Sequence, residues 1–123
     1  MGIVNGDTGA DVVSKTGTTS AWFSVTVSEG DAGLFGLVDQ KFTVTLQSPP
    51  GMNFDLYVHS SPCGGALYGQ AKGGVGAADV VASGWNETLG TDDSRTVLLE
   101  VRYVSGTACA SSATWNLKVE GNK

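Results

Sequence analysis

Pro49-Pro50-Gly51-Met52-Asn53-Phe54-Asp55-Leu56-Tyr57-Val58 is the stretch whose reading decides the fold. The two prolines and the glycine make a turn that sets up a strand. The residues after the turn alternate. Phe54, Leu56 and Val58 share one face of a strand, while Asp55, Tyr57 and His59 share the other. An apolar face backed by an acidic and aromatic one is the pattern of one wall of a small β-sandwich.

The same period recurs outward in both directions. Ala21, Phe23, Val25 and Val27 alternate with Trp22, Ser24, Thr26 and Ser28, and Phe42, Val44 and Leu46 alternate with Lys41, Thr43, Thr45 and Gln47. Val80, Val81 and Trp85 mark a shorter strand starting near Ala78, and Leu67 to Gln70 fits an edge strand. Val97, Leu99, Val101 and Tyr103 alternate with Leu98, Glu100, Arg102 and Val104; Trp115, Leu117 and Val119 oppose Asn116, Lys118 and Glu120. No segment carries a helical period. Seven or eight short strands separated by turn residues predict an all-β chain, a two-sheet antiparallel β-sandwich of jelly-roll-like type. The glycine-rich stretch Gly64–Gly76 and residues 28–39 read as loops. One domain is expected over 1–123, with its core at about 20–121 and residues 1–19 as an N-terminal segment or linker.

Composition narrows the function class. The chain has 123 residues, enough for one core. Charged residues make up only 15%, against 18 glycines, a balance in which small uncharged polar groups solvate the surface, as in secreted bacterial proteins. A net charge of −5 with scattered basic residues excludes nucleic acid as a partner and disfavours an anionic membrane surface. No apolar run reaches the roughly 18 residues of a membrane span. Met1-Gly2-Ile3 has neither the basic nor the apolar region of a signal peptide, so the chain is expected to be a piece of a longer exported protein.

Cys63 and Cys109 lie in turn-like contexts and are expected to form one disulfide, which for a loop of this length is worth about 4 kcal/mol. The alternatives are two buried thiols or, with a single histidine, a metal site short of four ligands.

On these residues the chain resembles the bacterial pre-peptidase C-terminal domain family. The turn and strand Pro50–Val58, Asp93-Ser94-Arg95 leading into Val97–Tyr103, the terminal Trp115-Asn116-Leu117-Lys118-Val119, and Trp22-Phe23-Ser24-Val25 carry the resemblance. It implies a small secreted β-sandwich appended to a peptidase or other hydrolase, related in fold to the collagen-binding domains of clostridial collagenases. The implied role is accessory and non-catalytic: holding the parent catalytic domain near a polysaccharide or a protein such as collagen. The alternative is a secretion- or maturation-linked extension with no ligand.

The residues themselves leave several site readings open. A catalytic triad would have to use His59, but no Gly-x-Ser-x-Gly elbow accompanies it, and a strand-end histidine beside Ser60-Ser61-Pro62 reads as solvated. Glu29, Glu87, Glu100 and Glu120 read as solvated carboxylates rather than a glycosidase pair. Calcium is the cofactor to weigh, with Asp7 and Asp11, or Asn86, Glu87, Asp92 and Asp93, as oxygen ligands. Against it, Asp92 and Asp93 suit an Asx-turn that opens the next strand, one carboxylate pairing with Arg95 or Arg102. Trp22, Tyr57, His59, Tyr68 and Arg102 are the candidate ligand contacts. Trp22 is out of phase with its apolar neighbours and is the best exposed tryptophan, unless the N-terminal segment covers it. Trp115 is in phase with Leu117 and Val119 and belongs to the core. Asp55 is either an anchor on a covered face or part of an open polar-aromatic stripe with Tyr57 and His59.

Overall fold

In the computed structural model, described over residues 1–30, 38–62, 65–88, 90–108 and 110–123, Pro49–Met52 closes as a type II turn. Met52 N–H donates to the Pro49 carbonyl (3.2 Å), and Gly51 takes a φ of 83° at the third turn position. The buried Ser48 hydroxyl accepts from Phe54 N–H (3.0 Å), fixing the first residue of the strand's apolar face.

Nine strands form among the described residues, against the seven or eight expected: β1 (Gly2–Asn5), β2 (Val12–Gly17), β3 (Ala21–Ser28), β4 (Gln40–Gln47), β5 (Met52–Ser60), β6 (Leu67–Ala71), β7 (Ala78–Trp85), β8 (Arg95–Gly106) and β9 (Trp115–Gly121). They form a five-stranded sheet in the order β1-β3-β8-β5-β6 and a four-stranded sheet in the order β2-β9-β4-β7. No helix occurs among the described residues. The all-β two-sheet sandwich is thus the observed fold, and its pairing is antiparallel except between β1 and β3.

The inward faces meet in one core. Val4, Val25, Phe42, Leu46, Phe54, Leu56, Leu99 and Leu117 are all within 1% of full burial, each side chain contributing about 1.5–3 kcal/mol. Trp115 joins them, its Nε1–H donating to the Thr19 carbonyl (2.9 Å), which satisfies its one polar group.

Residues 1–19 are not a linker. β1 pairs with β3 through Gly2↔Val25 to Asn5↔Ser28, β2 pairs with β9, and Val4 is fully buried. The reason is coverage: without β1 and β2 each sheet would end in an open edge over the Val25–Val27 and Trp115–Val119 faces. The Gly64–Gly76 stretch is likewise more than a loop, since β6 pairs with β5 inside it. Gly69 lets β6 approach the second sheet, where a Cβ would stand 2.6 Å from Val81 Cγ1. Most of the expected 28–39 loop, and both Cys63 and Cys109 with their expected disulfide, lie outside the described residues.

Asp79 ties the two sheets together. It lies on the inward face of β7 at 3% exposure, and its carboxylate accepts from Leu56 N–H of β5 (3.3 Å) and Gly73 N–H (2.7 Å). Those amides lie where β6 ends, so a side chain from the opposite sheet completes hydrogen bonding that the ladder cannot.

Candidate functional site

The outer face of the five-stranded sheet gathers four of the expected ligand residues. Register aligns Trp22 of β3, Glu100 of β8 and Tyr57 of β5 in one row, with Arg102 and Asp55 in the next. Because side chains alternate across a strand, all five project away from the core.

Glu100 is the hub of this face. It is 8% exposed, and Arg102 grips it with two parallel bonds, Nε to Oε2 (2.8 Å) and Nη2 to Oε1 (2.9 Å). His59 Nε2 lies 3.2 Å from the same Oε1, and because the carboxylate only accepts, Nε2–H is the donor. The Arg102 fork acts first to hold the Glu100 carboxyl below its usual range, burial opposes it, and the His59 hydrogen bond assists.

Around that hub the rings stack. Trp22 lies on His59 at 5.1 Å between centroids, and His59 in turn faces Tyr57 at 6.3 Å and 20°. Arg102 covers the Tyr57 ring at 4.0 Å, and Lys72 approaches the same ring at 5.5 Å. Two expectations are corrected here. His59 is not a solvated strand-end residue, for its side chain is 14% exposed between two rings. Tyr57, 7% exposed beneath Arg102 and Lys72, is a support rather than a contact surface.

The N-terminal segment does not cover Trp22, which is 51% exposed. β1 begins beside Val25, so Ala21–Phe23 of β3 runs beyond its end. Arg102 stays half-exposed because Glu100 occupies only one edge of its guanidinium. Tyr68 does not join the group: it packs against Phe42 (6.2 Å) and Trp85 (5.9 Å), toward the core. Trp85 is held by Arg95 over its ring (4.7 Å) and by its Nε1–H donation to the Asp93 carbonyl (2.7 Å).

Asp55 has the covered position. Burial, reinforced by the Asp79 carboxylate, pushes its carboxyl above the ordinary range, against the opposing pull of Lys72 and Arg102. Its Oδ1 and that of Asn53 are buried with no hydrogen-bond partner among the described residues.

A second cluster lies at one end of the sandwich. One carboxylate oxygen from each of Glu29, Glu87 and Asp93 lies within 4.8 Å of the others. Backbone and amide donors hold them in place: Asp93 N–H to Glu29 (2.8 Å), Thr88 N–H to Asp93 (2.5 Å) and Gln40 Nε2 to Glu87 (3.0 Å). The Gln40 bond acts to lower Glu87, but desolvation and the Glu29 and Asp93 carboxylates together leave its carboxyl above the ordinary range. Beside them opens a cavity of about 380 Å³ bounded by Glu29, Gly30, Thr91, Asp92 and Ser94. Asp7 reaches the same loop, accepting from Gly30 N–H (2.9 Å), and its Oδ2 is buried without a partner among the described residues.

The expected calcium residues therefore divide. Glu87 and Asp93 converge, Asp7 approaches, and Glu29 takes part where sequence reading had it solvated. Asp11 stands apart, accepting from Asn5 N–H (3.0 Å). Asp92 forms the expected Asx-turn, accepting from Ser94 N–H (2.9 Å); the Ser94 hydroxyl and then its N–H lower its carboxyl. The arginines expected beside Asp92 and Asp93 instead cover Trp85 and bind Glu100. Gln40, fully buried beneath Glu87, and Asp79 carried no sequence signal beyond a polar residue at a strand end.

No family model matches the chain, and no curated protein matches it. Among solved structures it is similar to the pre-peptidase C-terminal domain of collagenase from Bacillus anthracis, with a TM-score of 0.52 and 10% identity over 95% of this chain and 91% of that one. At that identity the likeness is one of fold, and it agrees with the resemblance carried by Pro50–Val58. A structure of infectious bursal disease virus, Gx strain, aligns at a TM-score of only 0.25, with 14% identity over 94% of this chain and 34% of that one, and bears no argument.

Proposed function

We propose that the chain is a non-catalytic accessory module of an exported hydrolase, and that the outer face of its five-stranded sheet holds the parent catalytic domain near a polymeric substrate. One observation carries the reading: a half-exposed tryptophan rests on the largely buried rings of His59 and Tyr57, with Arg102 over Tyr57 locked to Glu100. The fold alone does not need an indole on the solvent side of a sheet. A platform whose supports are already ordered loses little entropy on binding. Tethering then acts by raising the local concentration of substrate rather than by chemistry. The domain of similar fold comes from a collagenase, which supports a hydrolase as the parent and export as the setting.

Sedimentation of the chain with insoluble polysaccharides and with fibrillar collagen tests this. Retention on one polymer, reduced about tenfold or more by Trp22→Ala, is the expected result. Uniform failure to sediment would favour the ligand-free, maturation-linked extension.

A second reading rests on the acidic cluster. Glu29, Glu87 and Asp93, with Asp7 alongside, offer the hard oxygens calcium takes, and three carboxylates this close repel one another without a counter-charge. Calcium would hold the Glu29 and Asp93 loops together. Millimolar calcium is expected to raise the melting temperature by several degrees, as mass action on a folded-state ligand requires, and Glu87→Gln to abolish the rise. An unchanged melting temperature would remove calcium from the account.

A further inference from the structure

We infer that the polymer taken by the outer face is an uncharged polysaccharide, and that Asn53 and Asp55 are its hydroxyl-accepting subsite, at the far end of β5 from the Trp22 platform. The inference rests on the reading of that face as a ligand surface and adds a chemical class and a second point of contact.

Asn53, Asp55, Tyr57 and His59 occupy the outward phase of one strand. The register shift between Asn53 and Phe54 falls on the partner strand, where Asn53 pairs with Ser105 and Phe54 with Tyr103, so β5 keeps its alternation. At the His59 end stands the open indole of Trp22. At the Asn53 end stand two oxygens, Asn53 Oδ1 and Asp55 Oδ1, that lie closed to solvent and accept nothing from the described residues, so that a ligand hydroxyl meets them as the side chain turns about its last bond. The nearby cations are committed elsewhere, Arg102 to Glu100 and Lys72 over Tyr57. Burial pushes the Asp55 carboxyl upward, so the fold tolerates this carboxylate rather than relying on it. Groups kept against the interest of stability are the expected mark of a binding site.

The distance from His59 to Asn53 is six residues of strand, about 20 Å at roughly 3.4 Å each. That is room for a short run of pyranose rings. Their apolar C–H faces stack on an indole, while their hydroxyls are donors for a carboxylate and a carboxamide oxygen. A protein ligand would want pockets for its anchoring side chains. Two cavities among the described residues, beside Glu29 and beside Gly9–Val12, lie away from this face. Charge decides between neutral and acidic glycans. Arg102 and Lys72 are offset on the same face by Glu100 and Asp55, and the chain carries a net −5. Nothing there draws a polyanion.

Calorimetric titration of the whole chain tests the inference, using neutral hexasaccharides of β-linked glucose, xylose and N-acetylglucosamine, with hexagalacturonate and a triple-helical Gly-Pro-Hyp peptide as contrasts. Saturable binding of at least one neutral hexasaccharide is expected, weakened about tenfold or more by Trp22→Ala and, separately, by Asn53→Ala and Asp55→Ala. Asp55→Asn, which keeps an acceptor oxygen, is expected to stay within about threefold of the parent chain and to melt no lower. Circular-dichroism melts of each variant separate lost binding from lost fold.

If Trp22→Ala abolishes binding while Asn53→Ala and Asp55→Ala leave it unchanged, the subsite is overturned and the face stands. Binding confined to hexagalacturonate or to the triple-helical peptide overturns the neutral-glycan class and leaves the face intact. No heat with any probe overturns the inference, and the sedimentation assay then reports separately on the face.

Discussion

Asp79→Ala is expected to destabilise the chain by about 3 kcal/mol, the cost of orphaning two backbone donors at roughly 1–3 kcal/mol each. Leu56 N–H is buried in the central part of β5, and Gly73 N–H lies just past the end of β6. Both donate to one carboxylate that enters from the other sheet, and an alanine leaves no acceptor within reach. Water can recover the Gly73 amide, which is only half-buried, but not the Leu56 amide. Urea denaturation of the variant measures the loss directly, and a fall in melting temperature on the order of 10 °C should accompany it. Asp79→Asn keeps one acceptor oxygen and should recover part of the loss. A cost under about 1 kcal/mol would mean that Asp79 does not clamp the sheets.

Glu100→Gln is expected to cost about 2 kcal/mol and to change the shape of the stability–pH curve. Breaking a fully buried ion pair costs roughly 3–5 kcal/mol, but Arg102 is 49% exposed and can rehydrate, so the lower figure applies. The sign follows from the depressed carboxyl. Its folded-state pKa lies below the unfolded value, so the stabilisation is complete above the ordinary glutamate range near ~4.3 and disappears as pH falls through the folded-state value. Wild type and variant should therefore differ at neutral pH and converge in acid. The variant should also bind ligand more weakly, because His59 and Trp22 lose the group that orients them. Parallel curves across the acid range would show that Glu100 is not the hub.

Much of this was legible before any coordinates. Period-two alternation placed β3, β4, β5, β8 and β9, since a side chain buried on one face of a sheet imposes its phase on every second residue. The same rule put Trp115 inside and Trp22 outside. It failed at residues 1–19, where β1 and β2 are short and their exposed Ile3 and Val12 blur the pattern. It also failed at Glu100, because a strand's outer face is not always wet. Arg102 folds back over Tyr57 and closes the space around the carboxylate, which no spacing in the chain announces.

The acidic end is a similar case. Glu29 follows β3 while Glu87 and Asp93 share the connection from β7 to β8, with Gln40 beneath them, and only the pairing of β4 with β7 brings Gln40 beside Trp85 and the loop beyond it.

By itself, then, the sequence determined that the chain is a two-sheet sandwich whose Phe54–Val58 strand has an apolar and a polar-aromatic face. Burial of apolar surface fixes phase locally, within a few residues. The tertiary structure alone decided what the outer side of that strand sees: Trp22, Arg102 and Glu100 arrive from two other strands, and only long-range register sets which of them meet. Register also settled Asp55, which lies covered with no partner at Oδ1 among the described residues.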